Sequence, residues 1–486
     1  MARISRRNFV AGAAAIPFAV WFEKYAWAQT TFVRYDARSA NGQAMLKTYA
    51  NAVRIMRDPA QYAEGNPRGW TFQWYTHFVK GSTSKAAEIA RIYPAASTWK
   101  NLANEMWNTC QAHSGQPENY FLPWHRMFVF FFEQIVRQVT KTPSFALPYW
   151  NYSVSGTNHG VLPAEFRMPN DPTFKYLYVS KRNANANNGT AIDAGQPDAP
   201  LSLVSLNQCT YGPSGAQPGF CQALDFGLHG NVHVLTGNGQ NMGSVPWAAY
   251  DPIFWMHHSN IDRLWASWNA AGRKNPNDST FLNKTFVFVD GNGTRVVAKI
   301  SDFLSIAQLN YRYDRLEPVT NVCPANVSAA AAAPRQLLRL SAPLQLSAAP
   351  VRTRLAAAPS PQATVPLGQR IQNLGANRRL FLVLRDLRTN LQPEVLYHLY
   401  LELPATAKSG AMEFYVGNIN FFDTEHRHHE AGASQDKFYS FDITDLAKRL
   451  RASGHLAESA ELTIAPAGKP AATAQPVIGE VTLVEQ

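Results

Sequence analysis

The chain has 486 residues, 46% of them hydrophobic and 12% aromatic, and a formal net charge of +11. That length exceeds one ordinary core and points to two domains. The lysines and arginines are scattered, with no basic stripe carrying interleaved aromatics, which argues against nucleic-acid binding; no internal apolar run is long enough to span a bilayer.

In chain order, "SRRNFV" (Ser5 to Val10) is a twin-arginine pattern. The apolar run "AGAAAIPFAVWF" follows it, then "AWA" at 26–28, a small-x-small cleavage site. Residues 1–28 read as a signal peptide for the twin-arginine route, which puts the mature chain in the periplasm or outside the cell. "NGQAMLKTYANAVRIMRD" has helical periodicity, with Met45, Leu46, Tyr49, Val53 and Met56 on one side. "WHRMFVFFFEQIVRQV" is apolar almost all round, as a core helix is. Residues 153–225 are rich in Asn, Gly and Pro and read as long loops. "DPIFWMHHSNIDRLWASWNAAG" opens on Asp-Pro and closes on Gly272, which are helix start and stop signals.

Residues 321–366 are dominated by Ala, Pro and Ser and read as an extended linker. Beyond it, "RLFLVLRDL", "VLYHLYLELP", "AMEFYVGNINFF" and "KFYSFDITDL" are short β-like runs separated by turn residues. The expected architecture is a mainly α domain over 29–320, the linker, and an antiparallel β-sandwich over 367–486. Of the four cysteines, Cys209 and Cys221 flank a Gly/Pro-rich loop and are the natural disulfide candidates. No CxxC occurs, so a thiolate zinc site is disfavoured.

Six of the 13 histidines have ligand-like contexts. His229 and His233 in "LHGNVHVLTG" are four apart, on one helical face, and His258 lies on the next helix. Three imidazoles from two helices can hold one metal and leave positions open. A second group comprises His77 in "WYTHFVKG", His113 in "CQAHSG" and His125 in "FLPWHRMFVFFFE". Neutral nitrogen donors suit copper, and also zinc or iron. His159, His398, His455 and the "HRHH" run at 426–429 read as structural or solvent-facing.

"FLPWHRMFVFFFE", "HGNVHVLTG" and "DPIFWMHHSNIDRLW" resemble the copper-A and copper-B signatures of the tyrosinase and polyphenol oxidase family. "ALPYWNY" and "LNYRYDRL" also look like segments of that family, the second like the tyrosine motif that closes its catalytic domain. The resemblance covers 29–320 firmly and 367–486 loosely. It implies a four-helix bundle around a dinuclear type 3 centre. Two copper ions would be held by His77, His113 and His125 and by His229, His233 and His258. His257 would not ligate but hydrogen-bond nearby as a neutral imidazole, with Asn260 and Asp262 orienting the rings. The implied activity is oxidation of o-diphenols to o-quinones by dioxygen, with weaker ortho-hydroxylation of monophenols. Small phenols and dioxygen are the implied partners; a homo-oligomer and a copper chaperone are further expectations. The C-terminal domain would cover the active-site entrance, with the linker as the place where proteolysis releases activity.

Five positions depart from or tune the family pattern. Asp225 stands where relatives use a glutamate to hold a water. Gly230 stands where efficient monophenolases often carry asparagine. Val245 aligns with the gate above copper A, and Val234 would line the pocket entrance. Cys110 is a candidate for a thioether to His113, with a plain buried thiol as the alternative. Competing readings are an o-aminophenol oxidase, a haemocyanin-like dioxygen carrier and a zinc hydrolase.

Overall fold

The computed structural model describes residues 31–110, 119–323, 333–358, 365–407, 410–424, 439–456 and 459–486. The expected signal peptide, His113 and the 426–429 histidine run lie outside them. The first half is built on helices and long loops. Helix Ala40–Arg57 starts where the Ser39 side chain accepts from the Gly42 N–H, and it buries Leu46, Tyr49, Val53 and Met56. Helix Phe121–Thr140 is buried nearly all round and ends at Lys141 in the left-handed conformation (φ 54°). Helix Pro252–Ala270 starts at Asp251, whose carboxylate accepts from the Ile253 N–H, with Pro252 at a position that has no intrahelical partner to lose.

These helices meet in an aromatic layer. Phe132 stacks on Trp255 with ring centroids 3.5 Å apart, and Tyr49 and Trp70 pack edge-on against Phe132. Such pairs add about 0.5–1.5 kcal/mol each beyond area burial, so the layer fixes where the flanking histidines sit. A charged knot braces it from behind. Arg34, from the strand β1 (Phe32–Arg34), bonds Glu133 at 2.9 Å and Asp262 at 3.1 Å. Arg126 also pairs with Asp262, and the Tyr311 and Tyr313 hydroxyls donate to the same carboxylate at 2.6 Å each. The "LNYRYDRL" segment thus closes the domain, its strand β4 (Tyr311–Tyr313) lying parallel to β1. Between them in sequence, β2 (Thr285–Val289) and β3 (Arg295–Lys299) form a hairpin.

Among the described residues, the second half is a nine-stranded antiparallel sheet. Its strands are β5 (Arg335–Arg339), β6 (Leu344–Gln345), β7 (Val351–Ala357), β8 (Leu380–Arg388), β9 (Tyr397–Leu401), β10 (Tyr415–Ile419), β11 (Tyr439–Asp442), β12 (Ala460–Pro466) and β13 (Val477–Glu485). Their order is β10-β9-β12-β7-β5-β13-β8-β11, with β6 paired to β13. The expected linker is therefore corrected: 335–357 supplies three strands of this sheet. In β7 only Leu355 is buried, and arginines fill alternate exposed positions, so its sequence carries little of the apolar alternation that marks a strand. The disulfide expectation is corrected too. Cys209 pairs with Cys323, 114 residues away, while Cys221 is a buried free thiol.

The two halves share their cores. Leu396 and Phe422 of the β domain pack into the helical core, and Ala216 and Phe226 of the helical half pack into the β core.

Candidate metal centre

Five of the six expected ligands are described, and the fold brings them together. All are at most 2% exposed. His77 comes from helix Trp70–His77, His125 from helix Phe121–Thr140 and His258 from helix Pro252–Ala270. His229 ends a π-helical turn over Leu224–His229, and His233 lies on the next helix, Gly230–Thr236. A wide π turn rotates the chain relative to an α-helix and commonly marks a functional site. The His229 and His233 rings lie 4.6 Å apart between centroids, and His77 and His125 lie 5.9 Å apart. The two groups touch: the His125 and His258 rings stack at 4.2 Å, with 9° between their planes.

Donor nitrogens of His229, His233, His257 and His258 all lie within 4.8 Å of one another, as do donor atoms of His77, Cys110 and His125. Four rings point their Nδ1 at a backbone carbonyl: His77 at Val245 (3.2 Å), His125 at Phe121 (2.9 Å), His229 at Asp225 (3.1 Å) and His233 at Met242 (2.7 Å). A carbonyl can only accept, so Nδ1 carries the proton and Nε2 keeps the lone pair that a metal needs.

Burial, then the neighbouring histidines, holds His233, His257 and His258 neutral by pushing their pKa values well below the ordinary imidazole value. Among the described residues, His233 Nε2 and both ring nitrogens of His257 and His258 have no hydrogen-bond partner. Buried polar atoms left this way are costly, and a metal ion bound by neutral imidazole relieves that cost. The donor set therefore fits a dinuclear copper centre.

Several expectations change here. Among the described residues His257 finds no hydrogen-bond partner; its ring stacks on His229 at 5.3 Å and lies 5.6 Å from the Tyr152 ring. Asn260 and Asp262 orient no imidazole. Asn260 Oδ1 accepts from Arg263 at 3.0 Å, and Asp262 belongs to the arginine–tyrosine knot. Asp225 Oδ1 sits 3.1 Å from His229 Nδ1, so that carboxylate steadies a ring. Val245 is buried, and its carbonyl accepts from His77. The Val234 carbonyl accepts from Asn183 Nδ2 at 2.9 Å. Cys110 Sγ lies 3.6 Å from His125 Nε2; its expected partner His113 is outside the described residues.

Sequence reasoning did not single out two aromatic walls. Phe254 packs 4.9 Å from His77 and 4.3 Å from His258. Phe422, from the β domain, stacks on His233 at 4.1 Å with 11° between planes. The first was hidden in an apolar run that any core helix would show; the second lay in "EFYVGNINFF", where nothing ranks one aromatic above another. Around Phe422 the β domain is tied down by polar contacts. Asn418 Nδ2 donates to Asp198 at 2.7 Å, the Tyr415 hydroxyl also donates to Asp198, and His398 Nε2 lies 3.1 Å from Gln196 Oε1.

Comparison with known proteins agrees with this arrangement. Residues 67–271 match the common central domain of tyrosinase, 275–321 the polyphenol oxidase middle domain, and 339–486 a domain of unknown function (DUF7868). A tyrosinase of Hahella sp. (strain CCB-MM4) is 32% identical over 310 residues, covering 58% of this chain and 63% of the relative. Polyphenol oxidase E of Solanum lycopersicum is 33% identical over 229 residues, covering 40% of this chain and 37% of the relative. Thus the chain spans between about a third and two thirds of the length of these curated relatives. Among solved structures, latent apple tyrosinase superposes with a TM-score of 0.58 at 20% identity, covering 94% of this chain and 98% of the other. A functional unit of octopus hemocyanin reaches 0.52 at 16% identity, covering 92% and 99%. At those identities the likeness speaks for the fold. With its matched central and middle domains and its paired histidine groups, the chain belongs to the tyrosinase and polyphenol oxidase family.

Proposed function

We propose that the chain oxidises o-diphenols to o-quinones with dioxygen, and more weakly hydroxylates monophenols ortho to their oxygen. The observation that carries this reading is the 4.2 Å stacking of His125 on His258, which joins the two histidine groups into one centre. Copper A would be held by His77, His113 and His125, and copper B by His229, His233 and His258. When bound, the metal pair supplies dioxygen binding and electron transfer. The protein's own groups do the rest. Backbone carbonyls lock the imidazole tautomers, and the Phe121 and Phe254 rings keep water away. Overall, two diphenols lose four electrons and four protons, and one dioxygen leaves as two waters.

Asp225 supports the weaker hydroxylation. Its short carboxylate arm is committed to His229 and is less available to hold a proton-accepting water. The β domain covers the centre, since Phe422 occupies the face of His233 that a phenol ring would use. Export by the twin-arginine route is supported by the Cys209–Cys323 disulfide, which suits an oxidising compartment.

The experiment loads purified protein with copper and assays catechol, tyrosine, tyramine and o-aminophenol before and after proteolytic removal of the β domain. Catechol turnover that rises on removal supports the reading. Absence of catechol turnover in both forms refutes it, and preference for o-aminophenol reassigns the substrate.

A further inference from the structure

Gly230 lies on the copper-B helix between His229 and His233, and its backbone is ordinary helix (φ −62°, ψ −37°). No conformational need asks for glycine there, and glycine is a poorer helix former than alanine. The need is space. A Cβ at 230 would meet Asn420 Nδ2 and Oδ1 at 2.7 Å and its Cγ at 2.9 Å.

Asn420 belongs to the β domain and is fully buried. It is held on several sides. Its Nδ2 donates to the Phe226 carbonyl at 2.7 Å and to Asn231 Oδ1 at 3.0 Å, and its Oδ1 accepts from the Phe422 N–H at 3.2 Å. The Tyr439 hydroxyl reaches the same Phe226 carbonyl at 3.0 Å. That carbonyl lies within the π turn before His229, so the β domain grips the helical half on the segment carrying both histidines. A buried amide so tethered cannot swing aside without leaving these groups unpaired.

We infer that Gly230 is the seat for Asn420 and that its missing side chain is what lets the β domain dock over the copper-B histidines. The position lies next to His229 in sequence, so the contact that seats the β domain falls beside the proposed copper B. A side chain at 230 collides with Asn420 and weakens that docking. The consequence for activity rests on the proposed covering of the centre; the seat itself rests on geometry alone.

The test is Gly230→Ala in the full copper-loaded chain, read by hydrogen exchange in β10 and β11 and by catechol turnover without proteolysis. Exchange in both strands rises, and turnover rises about tenfold, equivalent to ~1.4 kcal/mol lost from docking. Asn420→Ala loosens the same strands, and adding Gly230→Ala to it changes little further, because the overlap is gone. Unchanged exchange in Gly230→Ala overturns the inference. Raised exchange with unchanged turnover leaves the seat standing and refutes the covering. Should Gly230→Ala lose its copper, the Asn420→Ala pair decides: a further large rise in exchange on adding the alanine to it overturns the seat.

Discussion

Asp262 shows how a single carboxylate organises the back of the metal centre. Burial pushes its pKa up, but Arg126, Arg34 and the two tyrosine hydroxyls outweigh that and hold it below the ordinary carboxylate range. A depressed folded-state pKa means its contribution is present above the unfolded value, roughly 4, and is lost as pH falls through the folded value. Asp262→Asn leaves the buried Arg126 guanidinium without a carboxylate and Arg34 with Glu133 alone, and should cost about 3–5 kcal/mol in chemical denaturation. It should also flatten the acid limb of the stability–pH curve. At the proposed copper B, Asp225 acts through His229. Asp225→Asn should weaken copper binding by roughly 10–100-fold, read by competition with a chelator, while leaving the fold intact. Copper affinity equal to that of the unaltered chain would show that the carboxylate does not steady the ring.

At the scale of elements, the disulfide joins the loop at 207–209 to the segment that ends the helical half. Closing a loop of 114 residues stabilises mainly by restricting the unfolded chain, so Cys209→Ser should lower stability by about 2–5 kcal/mol. Reduction of the unaltered protein should give the same loss, and an unchanged denaturation midpoint would contradict it. These elements also show what the sequence could and could not disclose. Helices 121–140 and 252–270 were legible because their periodicity, caps and apolar faces agree. Of the candidate ligands, His125 and His258 stood out by their place on those helices, His229 and His233 by their four-residue spacing, and His77 only by the family resemblance. Strand β7 was not, because its exposed arginines and alanines mimic a linker and its pairing with β12 and β5 is long-range. Cys323 was missed as a partner for the same reason: nothing local points across 114 residues. The stacking of Phe422 on His233 depends on how two domains dock, which no local pattern encodes.

Across the whole molecule, the β domain and the helical half form one interlocked unit whose seam runs beside His229 and His233. Phe422→Ala should empty the face of His233 while keeping the Asn420 seat. In the full chain it should raise kcat/KM for catechol without proteolysis, leaving hydrogen exchange in β10 and β11 near that of the unaltered protein. Equal kcat/KM before and after the substitution would show that Phe422 does not block substrate. The central claim is that two clusters of neutral imidazoles hold two coppers as one pair. Native mass spectrometry of the full chain, saturated with copper and desalted, tests it most directly. Two coppers per chain are expected, falling to one when His229 and His233 are both replaced by alanine. A single copper per chain in the unaltered protein at saturation would contradict the account.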